Sequence, residues 1–201
     1  SGKPLTRRLY RFRLGDLKLF GKRVVRDRKN YHLILVVDVS GSTDGWVRLN
    51  ELACVEAILA ACRGNRDVKF TFIPYENKPQ VFLKREHTET ALEQLRNKPC
   101  AFGGGTETAL ALTEARKHIQ PGTKEETALF LLTDGHDYNP EIITQWKKAV
   151  NNLFAWAFIF DSDENRDIGH IKDNFSVVHN TGQFCSSLKT AMRKLFSLST
   201  L

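Results

Sequence analysis

Residues 31–42 read YHLILVVDVSGS, and the architecture follows from them. Tyr31 to Val37 is a short, β-branched apolar run that stops at Asp38. Consecutive apolar positions at strand length predict a strand buried on both faces, as in parallel sheets. Two later runs have the same character: Thr127 to Thr133 (TALFLLT) and Leu153 to Phe160. Val68 to Tyr75 (VKFTFIPY) alternates and also predicts a strand, with Gln80 to Leu83 as its short partner. Helical patterns fall between the strands. Val47 to Cys62 places Leu52, Val55, Leu59 and Cys62 on one face. Thr88 to Asn97, Glu107 to Ile119 and Pro140 to Asn151 follow, the last with a proline in its first turn, where the missing N–H costs nothing. Asp163 to Asn174 is expected to be a helix and Phe175 to His179 a final short strand. Gln183 to Ser197 closes the chain as an amphipathic helix, with Phe184, Leu188, Met192, Leu195 and Phe196 on one face. Alternating strands and helices predict an α/β fold: a doubly wound, mostly parallel central sheet with helices on both faces.

The chain has 201 residues, 41% hydrophobic and 26% charged, which suits one large globular domain and excludes a disordered tail. No apolar run approaches the roughly 18 residues that span a bilayer. The basic N-terminus has no apolar stretch behind it, so no secretory signal is read there. Four scattered cysteines (Cys54, Cys62, Cys100, Cys185) include no CxxC pair; they read as reduced thiols of a cytoplasmic protein. The net charge of +7 is uneven. Residues 1–30 hold eleven basic side chains against Asp16 and Asp27, while residues 31–201 are nearly neutral. Two parts are therefore expected: a basic N-terminal segment, 1–30, and a domain, 31–201. The arm invites a nucleic-acid reading. However, apolar residues interleave with its charges (Leu9, Tyr10, Phe12, Leu14), which favours a segment that packs on the domain or continues from a longer protein.

In open α/β sheets, ligands bind beyond the carboxyl ends of the strands. Asp38-Val39-Ser40-Gly41-Ser42 follows the first strand, Asp134-Gly135 follows the Thr127 strand, and Gly103-Gly104-Gly105-Thr106 precedes a helix. Two carboxylates and three hydroxyls from three loops are hard oxygen donors, suited to Mg²⁺ rather than zinc or copper. Ser40 and Ser42 are two apart, so an extended loop can turn both hydroxyls one way. If the carboxylates act partly through water, the ion stays electrophilic and keeps a position open for an outside carboxylate.

Asp38-x-Ser40-x-Ser42, Thr106 within GGGTETAL and Asp134 within LLTDG, in this order and setting, resemble the metal-ion-dependent adhesion site of the von Willebrand factor A (VWA) family over residues 31 to about 198. The resemblance implies a central sheet with one short antiparallel edge strand. It also implies Ser40, Ser42 and Thr106 as direct ligands, with Asp38 and Asp134 binding directly or through water. Mg²⁺ is the expected ion, Mn²⁺ or Ca²⁺ the alternatives. The N-terminal SGKPLTRRLYRF…LFGKRVV is similar to the approach segment of bacterial proteins whose C-terminal A domain works with a hexameric AAA+ ATPase: cobaltochelatase T subunit-like, magnesium-chelatase and MoxR-associated proteins. DVSGST stands here where DNSGSM is common in that group.

Rival motifs fail on spacing. An EF-hand beginning at Asp38 needs glycine at its sixth position and glutamate at its twelfth, where Thr43 and Leu49 stand. No phosphate loop is present, and no G-x-S-x-G elbow surrounds Ser40 or Ser42. His136-Asp137 reads as a polar rim beside the site, and Asp161-Ser162-Asp163 as a helix cap. The expected function is a non-catalytic, Mg²⁺-dependent protein-binding module that captures a partner's Asp or Glu and couples to an AAA+ ATPase of the MoxR or chelatase type, or to its substrate. Two alternatives stand beside it: a non-catalytic subunit of a cobalt- or magnesium-chelatase-like complex, and a nucleic-acid-associated protein using the basic arm.

Overall fold

The computed structural model describes residues 30–43, 45–97, 103–120, 125–137, 139–160 and 174–198. The basic arm before residue 30, the helix expected from Asp163, the Asp161–Asp163 cap, Cys100 and Thr200 fall outside these residues. Six strands form one sheet: β1 (Asn30–Asp38), β2 (Val68–Tyr75), β3 (Leu83–His87), β4 (Glu125–Thr133), β5 (Phe154–Phe160) and β6 (Phe175–Val178). Their spatial order is β3-β2-β1-β4-β5-β6, with β1 at the centre. Every neighbouring pair is parallel except β2 with β3. The doubly wound reading is thus observed, including the single antiparallel edge.

Among the described residues five helices cover the sheet: α1 (Trp46–Ala61), α2 (Thr88–Asn97), α3 (Thr108–Arg116), α4 (Glu141–Asn152) and α5 (Thr181–Leu198). Because side chains alternate across a strand, β1 feeds two cores. Leu33, Leu35 and Val37 join Phe72, Phe130 and Phe158 beneath α1, α2 and α5, where Cys54, Ile58, Leu59, Phe184 and Leu188 pack. Ile34 and Val36 join Ile73, Leu129, Leu131 and Ile159 beneath α3 and α4, where Leu112, Ile142 and Trp146 pack. A sheet buried on both faces needs apolar residues at successive positions, which is what the β1 and β4 runs supply.

Two details depart from expectation and one, the start of α4, agrees with it. The partner strand of β2 lies at Leu83–His87, beyond the expected Gln80–Leu83. Pro79 bridges back to Tyr75, and the chain is turned by a register irregularity between Phe70 and Phe72 and by Arg85 at φ 57°. Pro140 opens α4 in a helical conformation, as expected, with Asn139 capping that helix, its Oδ1 accepting the Glu141 N–H at 2.9 Å. The inward stripe of α1 runs through Glu51, Cys54, Val55, Ile58 and Leu59, so Leu52 and Cys62 are only half-buried at its margins.

At the end of the sheet where β1 begins, a buried polar network replaces apolar packing. Arg85 forms a bidentate pair with Glu125, at 2.8 and 2.7 Å, and its Nη1 lies 3.2 Å from His32 Nδ1. Arginine only donates, so His32 Nδ1 accepts and the proton sits on Nε2, 2.8 Å from Thr71 Oγ1. Burial, then the Arg85 charge, hold the His32 pKa down at about 4.

Candidate metal centre

The parallel register aligns Asp38 with Tyr75 of β2, and Val37 with Leu132 of β4. Asp38 therefore ends the central strand beside Tyr75 and Thr133, at the carboxyl edge of the sheet. Its carboxylate is tightly held. Oδ1 accepts the Ser40 N–H at 2.9 Å, and Oδ2 accepts the Thr133 hydroxyl at 3.1 Å and the Tyr75 hydroxyl at 3.4 Å. Tyr75 Oη also lies 3.1 Å from Thr108 Oγ1, tying β1, β2 and the start of α3 together. Despite these donors, burial pushes the Asp38 pKa up to about 6, and the Asp134 charge adds to the rise.

After Asp38 the chain makes a short 3₁₀ turn, Gly41–Thr43, pinned by Thr43 Oγ1 donating to the Ser40 carbonyl at 2.8 Å. This turn sets Ser40 Oγ and Ser42 Oγ 3.0 Å apart. Ser40 is buried and Ser42 exposed, so the pair runs from the interior to the surface.

The glycine-rich loop is stapled to this turn. Gly103 donates to the Val39 carbonyl at 3.0 Å, and Gly41 donates to the Gly104 carbonyl at 3.2 Å. Gly105 donates to Asn77 Oδ1 at 2.8 Å and Glu107 to the Glu76 carbonyl at 3.0 Å. Gly104 has φ 91°, and a Cβ there would meet Asn77 Nδ2 at 2.5 Å, so glycine is required. Asp137 then caps α3 from a separate loop, its Oδ2 accepting the Thr108 N–H at 2.8 Å. The half-buried Thr106 is thereby fixed in a loop bonded to the Ser40 turn.

Asp134 follows β4. Its Oδ1 accepts the His136 N–H at 2.9 Å, and its Oδ2 is buried with no hydrogen-bond partner. His136 Nδ1 stands 3.7 Å from that oxygen. Both Glu51 carboxylate oxygens on α1 are likewise buried and unpartnered. Burial, then the charges of Asp38 and Asp134, push the Glu51 carboxyl well above the usual carboxylate range.

The residues present fit a hard divalent cation. An orphaned buried carboxylate oxygen, a close pair of hydroxyls and a second carboxylate face one sheet edge, and no lysine or arginine is paired with either aspartate among the described residues. No three His, Cys, Asp or Glu side chains gather into an ion-holding group among those residues. Any cation here thus relies on serine and threonine oxygens. Sequence spacing singled out Asp38, Ser40, Ser42, Thr106 and Asp134 as candidate ligands. It missed Tyr75, Thr133 and Glu51, which reach the site through contacts between distant segments, and read Asp137 as part of a polar rim without its cap on α3.

Comparison with known proteins agrees with this fold. A family profile described as "VWA domain containing CoxE-like protein" matches residues 14–154. No curated protein sequence matches. Among solved structures, the conserved hypothetical protein BatB from Bacteroides thetaiotaomicron is similar at TM-score 0.67 and 14% identity, with 84% of this chain and 100% of that one covered. An aerotolerance-related membrane protein from Bacteroides fragilis NCTC 9343 gives 0.62 and 12%, with 84% and 100% covered. Proximal thread matrix protein 1 from the mussel byssus, in a structure with a zinc-occupied MIDAS motif, gives 0.61 and 12%, with 86% and 47% covered. At these identities the solved structures speak to fold alone. No helix among the described residues is long and apolar enough to cross a membrane.

Proposed function

Since the chain belongs to the VWA family, of the kind described as containing CoxE-like protein, whose domains are typically protein-interaction modules, we propose that it binds a protein partner through a divalent cation, Mg²⁺ in the first instance. Ser40, Ser42 and Thr106 would hold the ion directly, and Asp38 and Asp134 directly or through water. The bound ion would supply a Lewis-acidic position for a carboxylate of the partner. Asp38 keeps Ser40 oriented through its bond to the Ser40 N–H. Thr133 and Tyr75 hold Asp38 in turn.

The observation that carries this reading is the buried, unpartnered Oδ2 of Asp134 at the same sheet edge as the Ser40–Ser42 hydroxyl pair. A buried carboxylate oxygen without a donor is costly, and a cation offsets that cost. Hydrolysis finds no comparable support: among the described residues no nucleophile is hydrogen-bonded to His136. Two exposed leucines, Leu49 and Leu110, stand in the first turns of α1 and α3, the helices that start at this edge. They offer apolar contact to a protein surface around a polar centre, the usual make-up of an interface.

The N-terminal resemblance supports an AAA+ ATPase of the MoxR or chelatase class, or its substrate, as the partner. The test is retention of such an ATPase by the immobilised domain with Mg²⁺ and with chelator, using wild type, Asp38→Ala and Ser40→Ala. Retention should need the ion and both side chains. Retention indifferent to all three refutes ion-mediated capture.

A further inference from the structure

An amphipathic helix packed on a sheet presents apolar residues inward. The inward stripe of α1 obeys this at Val47, Cys54, Val55, Ile58 and Leu59, yet between Val47 and Cys54 it carries Glu51, 1% exposed. Neither carboxylate oxygen of Glu51 accepts a hydrogen bond, and no basic side chain is paired with it among the described residues. The charges that act on it are those of Asp38 and Asp134. Asp134 itself has a buried orphan oxygen. Three carboxylates thus share the carboxyl edge of the sheet, and among the described residues hydroxyls and backbone N–H groups are the only donors to Asp38 and Asp134.

A local rule broken this deeply inside a well-packed helix marks a functional position. Leucine there would continue the stripe, so packing does not ask for an acid. We propose that Glu51 is a third carboxylate of the metal site, standing behind the ligands on the helix side and strengthening the hold on a divalent cation by its charge. This inference rests on the metal reading above and extends it to a residue outside the adhesion-site motif. Glu51 is a positioning residue rather than a ligand, since no three acidic side chains converge on one point among the described residues. In a poorly screened interior, a charge acts over several ångströms without contact. Two carboxylates would neutralise a bound divalent ion; Glu51, whose carboxyl is held above the usual range by burial and the two aspartates, would give up its proton to solvent as the cation enters, leaving the loaded site one negative charge and a preference for divalent over monovalent ions.

The test is calorimetric titration of the full chain with Mn²⁺ at pH 7.5. Wild type is compared with Glu51→Gln, Glu51→Leu, Glu51→Asp and Ser40→Ala, and each variant is melted in chelator. Glu51→Gln and Glu51→Leu should each weaken Mn²⁺ affinity tenfold or more while melting at or above the wild-type temperature in chelator. A residue that only supports the fold cannot produce that combination. Glu51→Asp, which keeps the charge, should retain most of the affinity. Mn²⁺ affinities of the Gln and Leu variants within twofold of wild type, with Ser40→Ala still defective, overturn the role of Glu51 and leave the metal reading standing. Absence of Mn²⁺ binding by wild type overturns both.

Discussion

Replacing Asp38 by asparagine should move stability in opposite directions with and without metal. In the metal-free protein, burial raises the Asp38 pKa from its ordinary 3.8 to about 6. A carboxyl raised in this way favours the fold at pH below 3.8, and that contribution is lost as the pH climbs through about 6. At pH 7.5 the ionised group therefore costs about 3 kcal/mol. Asparagine removes the charge and keeps an oxygen for the Ser40 N–H. It sets an NH₂ against the Thr133 and Tyr75 hydroxyls, which must rotate to accept, at a loss of about 1 kcal/mol. The net gain is about 2 kcal/mol, or roughly 4–8 °C in a domain of this size. In the presence of Mg²⁺ at a hundredfold excess over its dissociation constant, wild type gains about 2.7 kcal/mol by mass action, a gain the variant should lose. Thermal melts at pH 7.5, in chelator and in Mg²⁺, should therefore cross: the variant melts higher without the ion and no higher with it. A variant that melts below wild type in chelator, or shifts equally with Mg²⁺, refutes the argument that Asp38 is a strained anion awaiting a cation.

Two other outcomes are expected. His32, held at about 4 by burial and Arg85, supports the fold above its ordinary 6.5. That support should disappear as the pH falls through about 4, by about 3 kcal/mol, and urea denaturation at pH 7 and pH 4 should show a smaller difference in His32→Gln than in wild type. Gly104→Ala combines a φ of 91° with a clash against Asn77 and Glu76; it should cost about 1–3 kcal/mol and weaken Mg²⁺ binding, read by the loss of the metal-induced rise in melting temperature.

The strands of the central sheet were legible because burial on both faces leaves an unbroken apolar run, and nothing else at that length looks like LILVV or TALFLLT. Thr88–Asn97 and Val68–Tyr75 matched at both ends, since charge, proline and turn residues bracket them. The β3 strand moved because register in an edge hairpin depends on turn geometry: the Tyr75–Pro79 bridge delays pairing, and Arg85 adopts a left-handed conformation no pattern announces. The candidate ligand residues could be read from one short motif, one glycine-rich loop and one strand end. Tyr75, read as a strand aromatic, touches Asp38 only because β2 lies beside β1 in this register. Glu51 was passed over because phasing the helix on Leu52 turned it outward; the true stripe is shifted by one position.

Asp38 and Thr133 are hydrogen-bonded across 95 positions of chain, and the Ser40 turn is stapled to a loop more than sixty residues away. The centre therefore depends on the completed sheet and cannot be excised. A peptide carrying DVSGS holds several of the right oxygens without the scaffold that aims them, so the ion cannot template folding as zinc does in a finger. Occupancy would report instead that the polypeptide has already reached its native topology, and ion-dependent thermal protection, if the melts show it, would double as a proofreading assay for recombinant preparations.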